Sequence, residues 1–412
     1  MKTVNLTLTG MGHGGVALGR DTKERVVFVP FAIPGERVQV GLEENKGKHF
    51  HRGRIQTLLE ASPYRTEPLC PHFGTCGGCH FQHIKYGQQL VYKQGVVAEQ
   101  LQRIGGIAHP MVRPTLANPS PWAYSLELNL SLTAEGELGL WSPHQQQVIP
   151  ISTCPITQPA LVSLREDFAL EFPGLRQVIL RQGQDEELMV VLDLGDNEAP
   201  ELEVDFPLSV AVLLPDGAAA TLIGDAYLVQ SVKGREYRVS PGCYFPPSLA
   251  AAALLIDTVL HYTQFQGTEQ VLEMYSGVGF LTSWLAPKCA SWVAIEQNPD
   301  AVADAAANLE DTENVTLYEG DAAEILPELD LQPDWLVVNP PAQGMSKEVV
   351  DWIRGRRPPH LLYISSELST LARDGKGLVE GGYHLVEVQP LDMRPQTYHV
   401  ETISLWELPP SP

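Results

Sequence analysis

Val271-Leu272-Glu273-Met274-Tyr275-Ser276-Gly277-Val278-Gly279 is the stretch that decides the architecture of this 412-residue chain. An apolar strand runs straight into a glycine turn, the pattern of a buried strand whose C-terminal end lets backbone approach a ligand. A second strand, 292–296, ends in Ala294-Ile295-Glu296, about 20 positions on, where an acid can bind ribose hydroxyls. A third, 315–319, runs into Gly320-Asp321, and Asp321 can accept from an adenine amino group. A fourth, 335–339, ends in Asn339-Pro340-Pro341. Helical stretches at 247–262 and 300–309 alternate with these strands. The rhythm predicts an α/β domain over 238–412, a mainly parallel, doubly wound, Rossmann-like sheet.

A glycine turn alone also occurs in dinucleotide-binding folds. The ordered set of Tyr275, Gly277, Gly279, Glu296, Asp321 and Asn339 is similar to the cofactor cleft of S-adenosylmethionine-dependent methyltransferases. That cofactor is therefore expected here.

Working outward, residues 1–58 read as short strands at 4–8, 25–29, 36–42 and 53–59, broken by Gly10, Gly12, Gly14 and Gly15. Closely spaced strands with glycine turns predict a small barrel of the oligonucleotide-binding type. Residues 59–237 are mostly strand-like, at 126–132, 178–181, 188–192 and 209–214, with one helical stretch at 86–104. They predict a β-rich central domain.

Composition bounds the partners. The formal charge of −22 argues against a protein coated with nucleic acid, because phosphate contacts need Lys and Arg. The charge is uneven: residues 1–110 carry a net of +5 and the remainder −27. Any RNA contact is expected through the N-terminal barrel, where Arg20, Lys23, Arg25, Lys46, Lys48, Arg52 and Arg54 cluster. A barrel with merely solvated lysines is the alternative. No apolar run approaches the roughly 20 residues that span a bilayer, and the first residues lack a signal-peptide core. A cytoplasmic protein with no membrane partner is expected.

Cys70, Cys76 and Cys79 form a C-x5-C-x2-C run among glycines, with Cys154-Pro155 further on. Four thiolates suit a [4Fe–4S] cluster or zinc, and a triplet with a distant single favours the cluster. His72, His80 and His83 keep a mixed zinc site open. Cys243 and Cys289 are isolated and read as core residues.

Over nearly its full length the chain resembles the RNA uracil-5-methyltransferase family, which methylates ribosomal and transfer RNA. Val27-Phe28-Val29-Pro30-Phe31-Ala32-Ile33-Pro34-Gly35-Glu36 looks like that family's TRAM domain. The four cysteines match its iron–sulfur ligands in spacing. Thr370-Leu371-Ala372-Arg373-Asp374 and Asp392-Met393-Arg394-Pro395-Gln396-Thr397-Tyr398-His399-Val400-Glu401 match its last two motifs. The resemblance implies a cysteine thiolate that attacks uracil C6, methyl transfer to the activated C5, and a glutamate that removes the C5 proton. It makes Glu401 that base.

The chain departs from the family around one site. Ser365-Ser366-Glu367-Leu368 stands where the resemblance implies S-C-N-P, so Ser366 takes the place of the nucleophile. Pro246 stands for a cofactor-binding Gln. Asn339 and Ala342 stand for the Asp and Arg of D-P-P-R, and Tyr124-Ser125-Leu126 lacks an Arg-Asn pair. Several changes in one site imply relaxed or redirected function, with weakened cofactor binding. Three readings stay open: uridine chemistry through an unusual nucleophile, methylation of an exocyclic amine through Asn339-Pro340-Pro341, and a non-catalytic RNA- or protein-binding descendant.

Overall fold

Alternation explains the first domain. Val27 and Val29 of Val-Val-Phe-Val-Pro point inward and their neighbours outward, as side chains on a strand must. The structure, a computed structural model, describes residues 2–43, 50–165, 174–198 and 200–409. β1 (Lys2–Gly12), β2 (Val16–Arg20), β3 (Val26–Pro30), β4 (Arg37–Leu42) and β5 (Phe50–Glu60) close into a barrel in the order β1-β2-β3-β5-β4. Leu6, Leu8, Ala17, Val27, Val29, Val38 and Val40 fill it. β2 has no counterpart in the sequence reading, because the surrounding glycines hide its alternation. Lys46 and Lys48 of the basic cluster lie outside the described residues.

The barrel does not hang free. At Gly15, where φ is +72°, an added Cβ would lie 3.0 Å from Phe81 and 3.1 Å from Tyr398. His13, in the same turn, stands 3.5 Å from a Glu367 carboxylate oxygen.

The cysteine loop then leads into α1 (Tyr86–Arg103). This helix follows the barrel in sequence, yet Val96, Val97 and Leu101 pack into the core of the C-terminal sheet. Lys93 crosses to Asp392, Nζ to Oδ1 2.5 Å, and both are buried. Gln89 donates to the side chain of Gln396 at 2.9 Å.

The central domain holds a seven-stranded mixed sheet in the order β12-β11-β10-β9-β6-β7-β8. Its strands are β6 (Glu127–Leu132), β7 (Leu138–Ser142), β8 (Gln147–Pro150), β9 (Leu175–Gln182), β10 (Leu188–Leu194), β11 (Ser209–Leu213) and β12 (Ala219–Ile223). The short α2 (Pro159–Leu164) buries Leu161 and Leu164 beneath it. A hairpin, β13 (Leu228–Val232) and β14 (Arg235–Val239), leads to the last domain.

That domain is the doubly wound sheet its sequence predicts. α3 (Leu249–Thr263), capped by Ser248, precedes β15 (Gln270–Met274). Then come α4 (Thr282–Leu285), β16 (Ser291–Glu296), α5 (Pro299–Asn308), β17 (Val315–Glu319), α6 (Ala322–Ile325) and β18 (Trp335–Val338). α7 (Lys347–Arg356), β19 (His360–Ser365), α8 (Leu368–Glu380), β20 (His384–Leu391) and β21 (Glu401–Glu407) complete it. The order is β17-β16-β15-β18-β19-β21-β20, with β21 antiparallel to both neighbours. β18 is buried at all four residues, as a strand covered by helices on both faces must be. Among the described residues no helix is long and apolar enough to cross a membrane.

Candidate active site

β15 and β18 are neighbours where the strand order reverses, and a crevice opens beyond their C-terminal ends. Its volume is about 390 Å³. Tyr275, Gly277, Glu296 and Asn339 line it, with Pro246, Ala342 and Ser366. Tyr275 sits at φ +63°, a left-handed conformation that a bulky residue adopts only under constraint. Its N–H, bonded to the Ile295 carbonyl at 2.9 Å, ties the turn to β16. Glu296 closes the same turn from the other side: one carboxylate oxygen accepts from Gly277 N–H at 2.9 Å, the other from Gln297 and Asn298.

Glu273 lies beneath the crevice, 1% exposed, with Oε2 accepting from Thr282 at 2.5 Å and Trp292 at 3.0 Å. Burial pushes its carboxyl up to about 7, against the pull of those two donors. The folded state therefore keeps a proton that the unfolded chain gives up near 4.5, and stability falls as pH rises through that window. Glu273→Gln is expected to change little at the acid end of the window and to stabilise the protein at pH 8, by up to about 3 kcal/mol. Urea unfolding at both pH values checks this; a variant less stable at pH 8 contradicts it.

A second cavity of about 260 Å³ shares Ala342, Ser366, Met393 and Glu401 with the first and reaches Glu367, Arg394 and His399. Ser366 directly follows β19 and is exposed; among the described residues its hydroxyl has no hydrogen-bond partner. Glu401 opens β21, and burial pushes its carboxyl up to about 7, opposed by Arg394. An acid at that value can take or give a proton near neutral pH.

The two C-terminal motifs hold these residues in place. Arg373 donates to the Gln343 and Met345 carbonyls at 2.9 and 3.0 Å, and Asp374 accepts from Met345 N–H and the Tyr363 hydroxyl, both at 2.8 Å. Together they brace the loop that follows Asn339-Pro340-Pro341-Ala342. The Gln396 carbonyl accepts from His80 and Phe81 N–H at 2.9 Å, which joins the last motif to the cysteine loop. Tyr398 stacks on His399 with ring centroids 4.2 Å apart and packs against His80 at 4.5 Å.

A family model described as TRAM domain matches residues 1–55, and one described as ribosomal RNA adenine dimethylase matches residues 252–341. An uncharacterized RNA methyltransferase of Nostoc sp. is 30% identical, over 97% of this chain and 95% of its own. Another, of Gloeobacter violaceus, is 31% identical over 98% and 96%. The chain belongs to the TRAM-domain RNA methyltransferases. The crystal structure of Pyrococcus abyssi tRNA (uracil-54, C5)-methyltransferase in complex with S-adenosyl-L-homocysteine shares the fold, with a TM-score of 0.73 over 97% of this chain and 99% of that one at 22% identity.

In this RNA methyltransferase two residues expected in the cleft lie outside its lining. At Gly279, φ +77°, a Cβ would lie 3.0 Å from Leu309, so the glycine there lets α5 approach. Asp321 caps α6, accepting from Ala323 N–H at 2.7 Å, and its charge adds to the burial that raises the Tyr275 phenol. Conversely, the cleft and pocket recruit residues not foreseen: Tyr244, Glu273, Met393, Arg394 and His399. Glu273 carried a signal, an acid inside an otherwise apolar strand.

Cys70, Cys76, Cys79 and Cys154 are free and partly buried. Burial raises the thiols of Cys70, Cys76 and Cys79, Cys79 up to about 12, and the neighbouring Cys154 adds to each shift. Among the described residues no group of three or more His, Cys, Asp or Glu is gathered closely enough to hold a metal ion. Gly78 N–H and the Thr157 hydroxyl donate to Cys76 and Cys154 sulfur at 3.3 and 3.2 Å. Gln82 accepts from Cys70 N–H at 3.0 Å, and among the described residues its buried Nε2 has no partner at hydrogen-bond geometry, though it lies near enough to Cys79 to oppose the rise of that thiol. His72 is occupied by Ser152, whose N–H it accepts at 3.0 Å. Cys243 and Cys289 are buried in the core of the last domain.

Proposed function

We propose that this RNA methyltransferase binds S-adenosylmethionine in the crevice and RNA through its basic barrel, on the frame of a uracil-5 enzyme whose covalent route is lost. The observation that carries the reading is Ser366. It occupies the nucleophile's place, its hydroxyl makes no hydrogen bond to Glu367, His399 or Glu401 among the described residues, and a serine hydroxyl is scarcely ionised near neutral pH. Without attack at C6 no C5 proton becomes acidic, so Glu401 has nothing to remove. Pro246 offers the cofactor no side-chain polar contact, which supports weak binding. Calorimetry with S-adenosylmethionine followed by incubation with 5-fluorouridine RNA tests this. Cofactor binding without a denaturation-resistant adduct is expected; an adduct abolished by Ser366→Ala refutes it.

A second reading has its own support. The amide of Asn339 lines the crevice, among the described residues makes no side-chain hydrogen bond, and belongs to the segment matched by the adenine dimethylase model. Such an amide can accept from an exocyclic amine, a chemistry that needs no covalent cysteine. Methylated adenine or cytosine in digested RNA after incubation with labelled cofactor would select this reading over the first.

The number and spacing of Cys70, Cys76, Cys79 and Cys154 support a [4Fe–4S] cluster, which would have to draw together thiols that, among the described residues, are not gathered around one centre. Burial raises the thiols of Cys70, Cys76 and Cys79, which hold their protons unless a cationic centre replaces them. The donors on Cys76 and Cys154, with the orphaned Nε2 of Gln82, suit sulfur acceptors. When bound, the cluster would supply a structural clasp joining the cysteine loop to Cys154. Anaerobically purified protein is expected to be brown, with about four irons per chain; colourless protein containing one zinc contradicts this.

A further inference from the structure

Between the barrel, the cysteine loop and the turn after β7 lies a groove of about 400 Å³, separate from the crevice. Phe31, Arg54, Ile55, Gly74, Thr75 and His144 line it. Phe31 sits at φ +59°, where a bulky side chain is strained. Its surroundings force it there. The Phe31 carbonyl accepts from Arg65 at 3.0 Å, and the same guanidinium grips Glu36 with contacts of 2.6 and 2.8 Å. Glu36 in turn accepts from Ile33 N–H at 2.9 Å. The ring is thereby held partly buried, against Phe73 at 5.2 Å and His144 at 5.8 Å. Strain that the surroundings over-determine marks a residue placed for use.

We propose that this groove holds one unstacked nucleobase of the bound RNA, stacked against Phe31 and His144. The inference rests on the RNA-binding reading above and adds a site to it. A flat aromatic face is what every base offers, and stacking tolerates any of them. Arg52 and Arg54 are exposed on β5 beside the groove, within the net-positive first 110 residues of an acidic chain, as a strand's phosphates require. Arg54 is shared with Glu43 at 2.7 Å, which fixes its direction. The groove also connects to the chemistry. His83 packs on Phe31 and Phe73, and three residues earlier His80 packs on Tyr398 and His399 beside Ser366 and Glu401.

The test exploits the strain. Glycine is at home at φ +59°, so Phe31→Gly removes the ring while relieving the backbone. The full-length variant should unfold no earlier than the parent, yet bind a fluorescein-labelled single-stranded oligoribonucleotide of about ten nucleotides roughly tenfold more weakly at low salt. His144→Ala should weaken it in the same direction. A walk of abasic nucleotides along the oligonucleotide gives a second readout, independent of how the variant folds. One abasic position should cost the parent about tenfold and Phe31→Gly almost nothing. Parent-like affinity in Phe31→Gly, or abasic losses identical in both proteins, overturns the groove while leaving RNA binding intact. A parent that binds no RNA overturns the RNA reading itself, and the groove falls with it.

Discussion

Replacing Ser366 by cysteine is expected to turn a protein that forms no covalent complex with 5-fluorouridine RNA into one that does. Fluorine blocks removal of the C5 substituent, so any nucleophile that attacks C6 stays attached. On the proposed reading the parent lacks that attack, its Ser366 hydroxyl being exposed and without a hydrogen-bond partner among the described residues. A thiol ionises far more readily, to a few per cent near neutral pH, and thiolate is intrinsically the stronger nucleophile. The rest of the pocket stands ready: Glu401 is buried at the junction of the two cavities, and Arg373 and Asp374 brace the loop beside it. Losing one catalytic group costs several powers of ten, so its return should be visible on a denaturing gel. If Ser366→Cys stays silent while binding cofactor and RNA, then Pro246, Asn339 and Ala342 have dismantled the site as well, and the loss is not confined to the nucleophile.

The largest stability effect is expected at Lys93. Lys93 and Asp392 are both buried, their contact is 2.5 Å, and Lys93 also donates to the Arg394 carbonyl at 3.2 Å. Among the described residues Asp392 Oδ2 makes no hydrogen bond. Lys93→Ala would leave a buried carboxylate uncompensated, at a cost of about 3–5 kcal/mol. The paired change Lys93→Met with Asp392→Leu should recover most of that, because well-packed apolar residues replace a buried ion pair at little loss. Urea midpoints for the three proteins decide it. A loss below about 1 kcal/mol for Lys93→Ala would mean that the pair is wet and weak.

What the sequence made legible follows a physical rule. β15 to β18 announce themselves because a parallel sheet covered on both faces needs continuous apolar runs, and Val271-Leu272 and Trp335–Val338 supply them. Tyr275, Gly277, Glu296 and Asn339 reached the crevice because the C-terminal ends of such strands define it. Gly279 and Asp321 did not, since a glycine that admits a helix and an aspartate that caps one look in sequence like ligand-binding residues. The position of α1 was illegible for another reason. Gln89 and Lys93 are polar residues whose burial nothing local announces, and only the partners some 300 residues on, Gln396 and Asp392, make them core. Long-range pairing of polar groups leaves no periodic trace.

The turn at His13 to Gly15 carries a last consequence. A module tethered by a flexible linker searches for its ligand independently, and its benefit depends on the reach of the tether. Here the barrel is wedged against Phe81 and Tyr398, with Glu367 beside it on the catalytic wall, so it has no such freedom to lose. The protein is a ruler rather than a hand on a leash. On the proposed reading an RNA that meets both barrel and pocket would be measured by whether two of its parts fall at one fixed separation, the ordering entropy of bringing the two into line having been spent during folding.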